Sequence, residues 1–374
     1  MAKLSLAELQ ALVGSAVTAA KLSNDTFNVT RDNIVGLVDK IGKIHTIDTI
    51  YAIDKLAMFD GEYLSFGKTI EEWSADLILP EAFDPAGAGA LAPHVSTFRP
   101  NFYSYTIGRK VIKQTLRNDD IERAVHFEEQ MASIVAIMVK RIQDSMVSYR
   151  YQVKREMLGK FIALCEAEMD ATQATAYSAS TAYNVNAIVK NGNPAQVGIV
   201  VKAIPNTNTD TWAQAIANGK IILLDLVTEI AKPSSTQTGE AFIKQVKGDV
   251  EVAQDLSEGH SLNGNTLGAV EGLVLIVKQG VIPSLEVDTY AGAFNENRVV
   301  APTRVVVVKD FGTADASYYA VLTDVRSMRL HNTYDALREN FNGDGDFTNL
   351  FRHTEDTGAI SRNCFIKVYK QPSA

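Results

Sequence analysis

An α+β fold built around one very long helix and one long β-hairpin is what this sequence predicts, and three observations lead there. Apolar residues recur at three- and four-residue steps from Ile121 to Met157, with no proline between Pro100 and Pro194. Two stretches of alternating residues flank a link rich in Gly, Ala and Pro. Apolar and β-branched bursts, among them four consecutive valines at Val305 to Val308, fill the second half. The totals agree with a folded chain: 374 residues, 46% hydrophobic and 21% charged, suffice for two or three packed subregions.

Residues 4 to 22 place Leu6, Leu9, Val13, Val17 and Ala20 on one helical stripe, and Asp32 to Ile41 repeats the pattern with Ile34, Leu37, Val38 and Ile41. Two short helices cannot enclose a core, so this leading segment is an arm. From Tyr63 to Leu79 the period becomes two, with Trp73, Ala75, Leu77 and Leu79 on one side. Phe98 to Leu116 mirrors it, with Tyr103, Tyr105 and Ile107 opposite Phe102, Ser104 and Thr106, and the two strands are expected to pair as a hairpin. The link, Pro80 to Pro100, is too long and too rich in Gly, Ala and Pro for a tight turn and makes an extended tip. Such a hairpin has no core of its own and must lie on something else.

Asn118-Asp119-Asp120 offers N-cap chemistry before the long helical pattern. A helix running to Cys165 would hold about 45 residues and span about 65 to 70 Å. One side is Met-rich and apolar while the other carries Arg141, Asp144, Arg150, Lys154 and Arg155, the pattern of one packed and one solvated face. After a polar link at 170–182, Gly198 to Ala203, Leu273 to Val277 and Val299 to Lys309 read as core elements, and Thr211 to Ile230 has a helical period. The final strands are Tyr318 to Thr323, Ser327 to Leu330 and Cys364 to Tyr369.

Charge and motifs exclude several functions. A net charge of -8, with no basic run, argues against a dedicated nucleic-acid module. Cys165 and Cys364 form no CxxC pattern and read as unpaired thiols of a reducing compartment. No uncharged apolar run reaches the roughly 18 residues of a membrane span. Gly87-Ala88-Gly89-Ala90-Leu91-Ala92 imitates a dinucleotide fingerprint, but Pro85 and Pro93 stand where a strand and a helix are needed. Gly259-His260-Ser261-Leu262-Asn263-Gly264 is one residue too long for a nucleophile elbow and reads as a turn. Glu122, His126 and Glu129 share a helical face without a second ligand helix. Asn340, Asn342, Asp344, Gly345, Asp346 and Thr348 follow EF-hand spacing, yet Phe351 occupies the place of the bidentate Glu, so an Asn/Gly/Asp turn is expected. No catalytic, cofactor-binding or metal-binding residue is assigned.

The order of elements resembles the Hong Kong 97-type major capsid protein of tailed bacteriophages, an α+β fold with an N-arm, an extended E-loop, a spine helix in the peripheral (P) domain, and an axial (A) domain. Glu62 to Phe83 (EYLSFGKTIEEWSADLILPEAF) has the texture of the segment that opens the E-loop, and Ala336 to Phe351 (ALRENFNGDGDFTNLF) that of the segment before the last strand. Nearly the whole chain is covered. The resemblance implies an arm at 1–60, an E-loop hairpin at 61–117, the spine helix and its following link at 118–182, a mainly A-domain block at 183–310 and P-domain strands at 311–374.

It also implies a non-enzyme that tiles an icosahedral head around double-stranded DNA. Its partner is itself, in pentamers and hexamers, together with portal and scaffolding proteins, with packaged DNA held by proximity alone and no membrane or cofactor. The chain would be made in the bacterial cytoplasm and end in the virion. The assembly residues expected are Leu6, Leu9 and Val13 in the arm, and Phe66, Trp73, Leu77, Phe102, Tyr103 and Tyr105 in the hairpin. An encapsulin-like compartment shell and a soluble α+β enzyme or ligand-binding protein are the alternatives.

Overall fold

The computed structural model describes residues 53–65, 67–75, 85, 98–103, 105–117, 128–192, 195–255, 258–264, 270, 272–281, 304–312 and 314–372. The centre is a five-stranded mixed sheet in the order β11-β10-β12-β15-β9, formed by Arg304–Val308, Leu273–Lys278, Tyr318–Asp324, Ile366–Lys370 and Val227–Glu229. Helix α1 (Glu128–Met169) packs on one face and helix α3 (Thr236–Gln254) on the other. Strand β10 shows how the sequence sorts itself between the layers. Val274 and Ile276 pack with Val153, Met157, Phe161 and Ile162 of α1, whereas Leu273, Leu275 and Val277 pack with Phe242, Ile243, Val246 and Val250 of α3. A strand buried on both faces must be apolar throughout, which is why this one reads as an unbroken run. Each fully covered Leu, Ile, Phe or Met contributes about 1.5–3 kcal/mol.

Helix α1 has 42 described residues and is about 63 Å long, close to the predicted span. The proposed cap at Asn118 to Asp120 lies outside the described residues, as do the arm helices, the Pro80 to Pro100 tip apart from Pro85 and the last three residues Phe98 to Pro100, and the pair Glu122 and His126. Cys165 is buried beneath the sheet and Cys364 half-buried, both as free thiols; burial pushes Cys165 up and raises Cys364 to about 11.

A smaller sheet, β5-β6-β7-β8 (Thr175–Ala176, Ile188–Asn191, Gln196–Val200, Ile221–Leu223), encloses its own cluster of Tyr183, Val189, Val200, Ile204, Ala215 and Ile221. Here the helical reading of Thr211 to Ile230 is corrected. Only Trp212–Ala217 is helical (α2), opened by a reciprocal Thr211–Gln214 capping box. Gly219, at φ +60, turns the chain out, so that Ile221–Leu223 pairs with β7 and Val227–Glu229 with β15.

The third sheet, β1-β13-β14-β4, extends from the body. Its centre is the long hairpin of β13 (Met328–Asn342) and β14 (Phe347–Ile360), flanked by β4 (Tyr105–Arg117) and, at its base, by β1 (Asp60–Tyr63). Ahead of β1, a short 3-10 turn at Ala57–Phe59 plants Leu56 and Phe59 in the α1 cluster. Lys154 of α1, 1% exposed, clasps this segment through Asp54 Oδ2 at 2.6 Å and Asp60 Oδ1 at 2.5 Å.

Candidate assembly interface

The predicted hairpin is present, but shorter than its alternation suggested. Strand β2 (Ile70–Ala75) pairs antiparallel with β3 (Phe98–Tyr103), Trp73 opposite Pro100 and Ile70 opposite Tyr103. Among the described residues no third strand joins them, so both edges of this ribbon are open. The chain beyond Tyr103 leaves the ribbon as β4 and pairs with β14 instead, Tyr105 opposite Gly358. What looked like one strand from Phe98 to Leu116 therefore serves two sheets.

The ribbon is rooted in the body by polar contacts at its base. Ser361 Oγ donates to Glu72 Oε1 at 2.6 Å, and Lys68 forms an ion pair with Glu355 on β14. Arg109 reaches the same carboxylate at 3.5 Å while its guanidinium lies 4.2 Å from the ring centroid of Tyr334. Hydrogen bonding to Lys68, with Arg109 beside it, holds the Glu355 carboxyl below the usual range. These are partly exposed pairs, each worth about 1 kcal/mol or less, so they orient the ribbon more than they stabilise the body. Beyond the root, Trp73 is 61% exposed among the described residues.

The β13–β14 hairpin offers a second uncovered surface. Strand β1 pairs with β13 only at Leu330 and Asn332, which leaves residues 333–342 as a free edge among the described residues. On this edge Leu337 and Phe341 are 56% and 60% exposed. Beyond a register shift at Thr333, residues 334–342 pair continuously with β14, and Arg352 donates Nε and Nη2 to the two oxygens of Asp335 at 3.1 and 2.8 Å. At the tip, Asn342 Oδ1 accepts from the amides of Asp344 and Gly345, and Asp346 sits at φ +44. The residues with EF-hand spacing thus form a strand, a tight turn and a strand, with Asn340 directly opposite Asn349.

Of the predicted assembly residues, Trp73 stands on the exposed ribbon. Phe102 and Tyr103 lie on β3 and Tyr105 on β4. Leu6, Leu9, Val13, Phe66 and Leu77 lie outside the described residues. Leu337 and Phe341 were not anticipated. Their four-residue spacing imitates a helix, and only pairing with β14 reveals them as neighbours on one strand face.

A three-layer body that sends out a ribbon and an apolar-edged hairpin, both uncovered among the described residues, has the form of an assembly subunit. Residues 7–364 match the model of the Phi29-like phage major capsid protein family, and the chain belongs to that family. It is a phage major capsid protein, a virion structural protein whose copies self-assemble into the head shell. The same fold occurs in the capsid structure of Staphylococcus phage Andhra, at TM-score 0.57 and 10% identity over 88% of each chain. It occurs in a structure of the head fiber and inner core protein of native bacteriophage P68, at TM-score 0.52 and 12% identity over 88% of this chain and 87% of that one. The capsid structure of Cyanophage P-SCSP1u matches at TM-score 0.50 and 10% identity, covering 94% of this chain and 97% of that one. No curated protein sequence matches the chain. The family match favours neither the encapsulin-like shell nor the soluble enzyme.

Proposed function

We propose that the chain tiles an icosahedral head around double-stranded DNA as pentamers and hexamers, without catalytic activity. In this reading residues 1–60 are the arm, 61–117 the E-loop hairpin, 118–182 the spine helix and its following link, 183–310 mainly the A domain and 311–374 P-domain strands. The ribbon of β2 and β3 is the outer part of the E-loop and lies against a sister subunit. Phe66, Trp73, Leu77, Phe102, Tyr103 and Tyr105 contribute its contacts, as Leu6, Leu9 and Val13 contribute those of the arm. Portal and scaffolding proteins meet the shell during assembly in the bacterial cytoplasm, and packaged DNA is contained by proximity.

One observation carries this reading: the ribbon is anchored at its root, yet it exposes Trp73 and pairs with no third strand among the described residues. Covering the exposed part of that indole, on the order of 150 Å², contributes roughly 3–4 kcal/mol per copy. A term of that size, repeated at every subunit, decides whether a shell closes. The test is Trp73→Ala, followed by size-exclusion chromatography and negative-stain electron microscopy. Retention of the wild-type far-UV spectrum with few closed particles is expected. Particles in wild-type yield would remove the ribbon from the assembly interface.

A further inference from the structure

At one end of the five-stranded sheet, four lysines surround a cleft of about 540 Å³. They come from four separate places: Lys232 from the link after β9, Lys278 from the end of β10, Lys309 from just beyond β11, and Lys370 from the end of β15. Asp315 is the single carboxylate among the lining residues, with Glu166 beside Lys370 and Asp310 near Lys278 standing just outside the lining, so four ammonium groups outnumber the carboxylates around them. Two of the four are committed within the fold. Lys370 reaches Glu166 at 3.2 Å, and Lys278 donates to the carbonyl oxygens of Asp315 and Ala316 at 3.3 and 3.5 Å, with the Phe311 ring centroid 5.1 Å away. Burial lowers the pKa of Lys278, with Asp310 and Asp315 acting against that shift and Lys232 adding to it. Ser317, on the cleft wall, donates its amide to Asp315 Oδ1 at 2.8 Å, and hydrogen bonding to Ser317 holds the Asp315 carboxyl below its usual range.

We propose that this cleft is a binding site for a phosphate group. Cations approaching from four strand ends are matched by an anion whose oxygens point in several directions, which a tetrahedral phosphate supplies and a planar carboxylate does not. Lysines suit this task because each acts as a point charge with three rotatable donors. The cleft exceeds a lone phosphate ion and has room for an attached sugar, so the phosphate can belong to a nucleotide or to a nucleic-acid backbone.

The test uses the full-length chain at low salt, titrated separately with inorganic phosphate, adenosine monophosphate, a short DNA duplex and poly-glutamate. Lys278→Gln/Lys309→Gln is compared with Lys113→Gln, a β4 lysine away from the cleft. Loss of two charge-assisted hydrogen bonds should weaken phosphate binding at least about tenfold, while the Lys113 variant matches the wild type. Competition between duplex and inorganic phosphate assigns the site to a nucleic-acid backbone; binding of the small phosphates alone assigns it to a free phosphate ester. The proposal is overturned if phosphate acts no more strongly than chloride at equal ionic strength, if poly-glutamate binds more tightly than every phosphate probe, or if the double variant binds like the wild type. Far-UV spectra verify that the variants fold, and Lys232→Gln/Lys309→Gln, which leaves the packed Lys278 in place, provides a second pair. Phosphate binding is read on the unassembled chain and the Trp73→Ala test on particles, so the two readings fail separately.

Discussion

Replacing Lys154 by methionine keeps the length of the side chain and removes its charge, which isolates the clasp between α1 and the segment that leads into β1. The ammonium is 1% exposed and bridges Asp54, whose side chain is 13% exposed, and Asp60, at 45%. Removing one partner of a buried pair costs about 3–5 kcal/mol because the other charge is stranded. Asp60 can rehydrate and contributes little, whereas Asp54 cannot, so the expected cost is about 3 kcal/mol. For a folded unit of about 320 residues, unfolding entropy near 2.1 cal/mol/K per residue makes that a fall in Tm of about 4–5 °C. Urea unfolding of the unassembled subunit measures the cost directly. Asp54→Asn combined with Lys154→Met should recover about 1–2 kcal/mol, because the stranded carboxylate is then gone. A single-variant cost under about 1 kcal/mol, or simple additivity of the two changes, would refute the claim that this ion pair is a structural clasp.

Three further outcomes are expected. Leu337→Ser/Phe341→Ser, on the free edge of β13, should leave subunit stability within about 0.5 kcal/mol of wild type but reduce particle yield in electron micrographs, since both side chains are already solvated in the single chain. Gly259→Ala should destabilise by about 2–4 kcal/mol in urea: φ is +82, and the added Cβ would lie 2.0 Å from the Leu223 carbonyl oxygen, so backbone has to move. Hydrogen bonds from His260 and Lys367 bring the Asp225 carboxyl down to about 2, against its ordinary value near 3.9. A pKa depressed on folding gives stability that is fully present above pH 4 and disappears as pH falls through 2. Urea midpoints measured between pH 5 and pH 2 should therefore decline less steeply for Asp225→Asn than for the wild type.

Features set by neighbours in sequence were readable; those set by distant strands were not. Four valines at Val305 to Val308 have few ways to be accommodated except as a buried strand, and they form β11. The three- and four-residue steps around Met146, Val153 and Met157 persisted long enough to fix α1. Helix α3 went unread although Phe242, Ile243, Val246 and Val250 have helical spacing, because its cap pairs Ser235 with Thr238 in place of the usual Glu or Gln and its start gave no familiar signal. Strand β13 was read only as far as Leu330, because the charged and polar residues after it have no strand pattern until Tyr334 to Asn342 are laid against β14. The same holds for the candidate interface. Trp73 was found from alternation within its own segment, whereas Leu337 and Phe341 needed the hairpin partner to show which way they face.

The position of β15 in the central sheet makes distant parts of the body depend on one another. Ile366–Lys370 lies between β12 and β9 and is hydrogen-bonded to both, so Val227–Glu229 has no neighbour in that sheet until a segment almost 140 residues further on has arrived. Losing Ile366–Lys370 would thus strip one edge of β12 and leave β9 with no hydrogen-bonded neighbour in that sheet, so a local break there becomes a failure of the whole body.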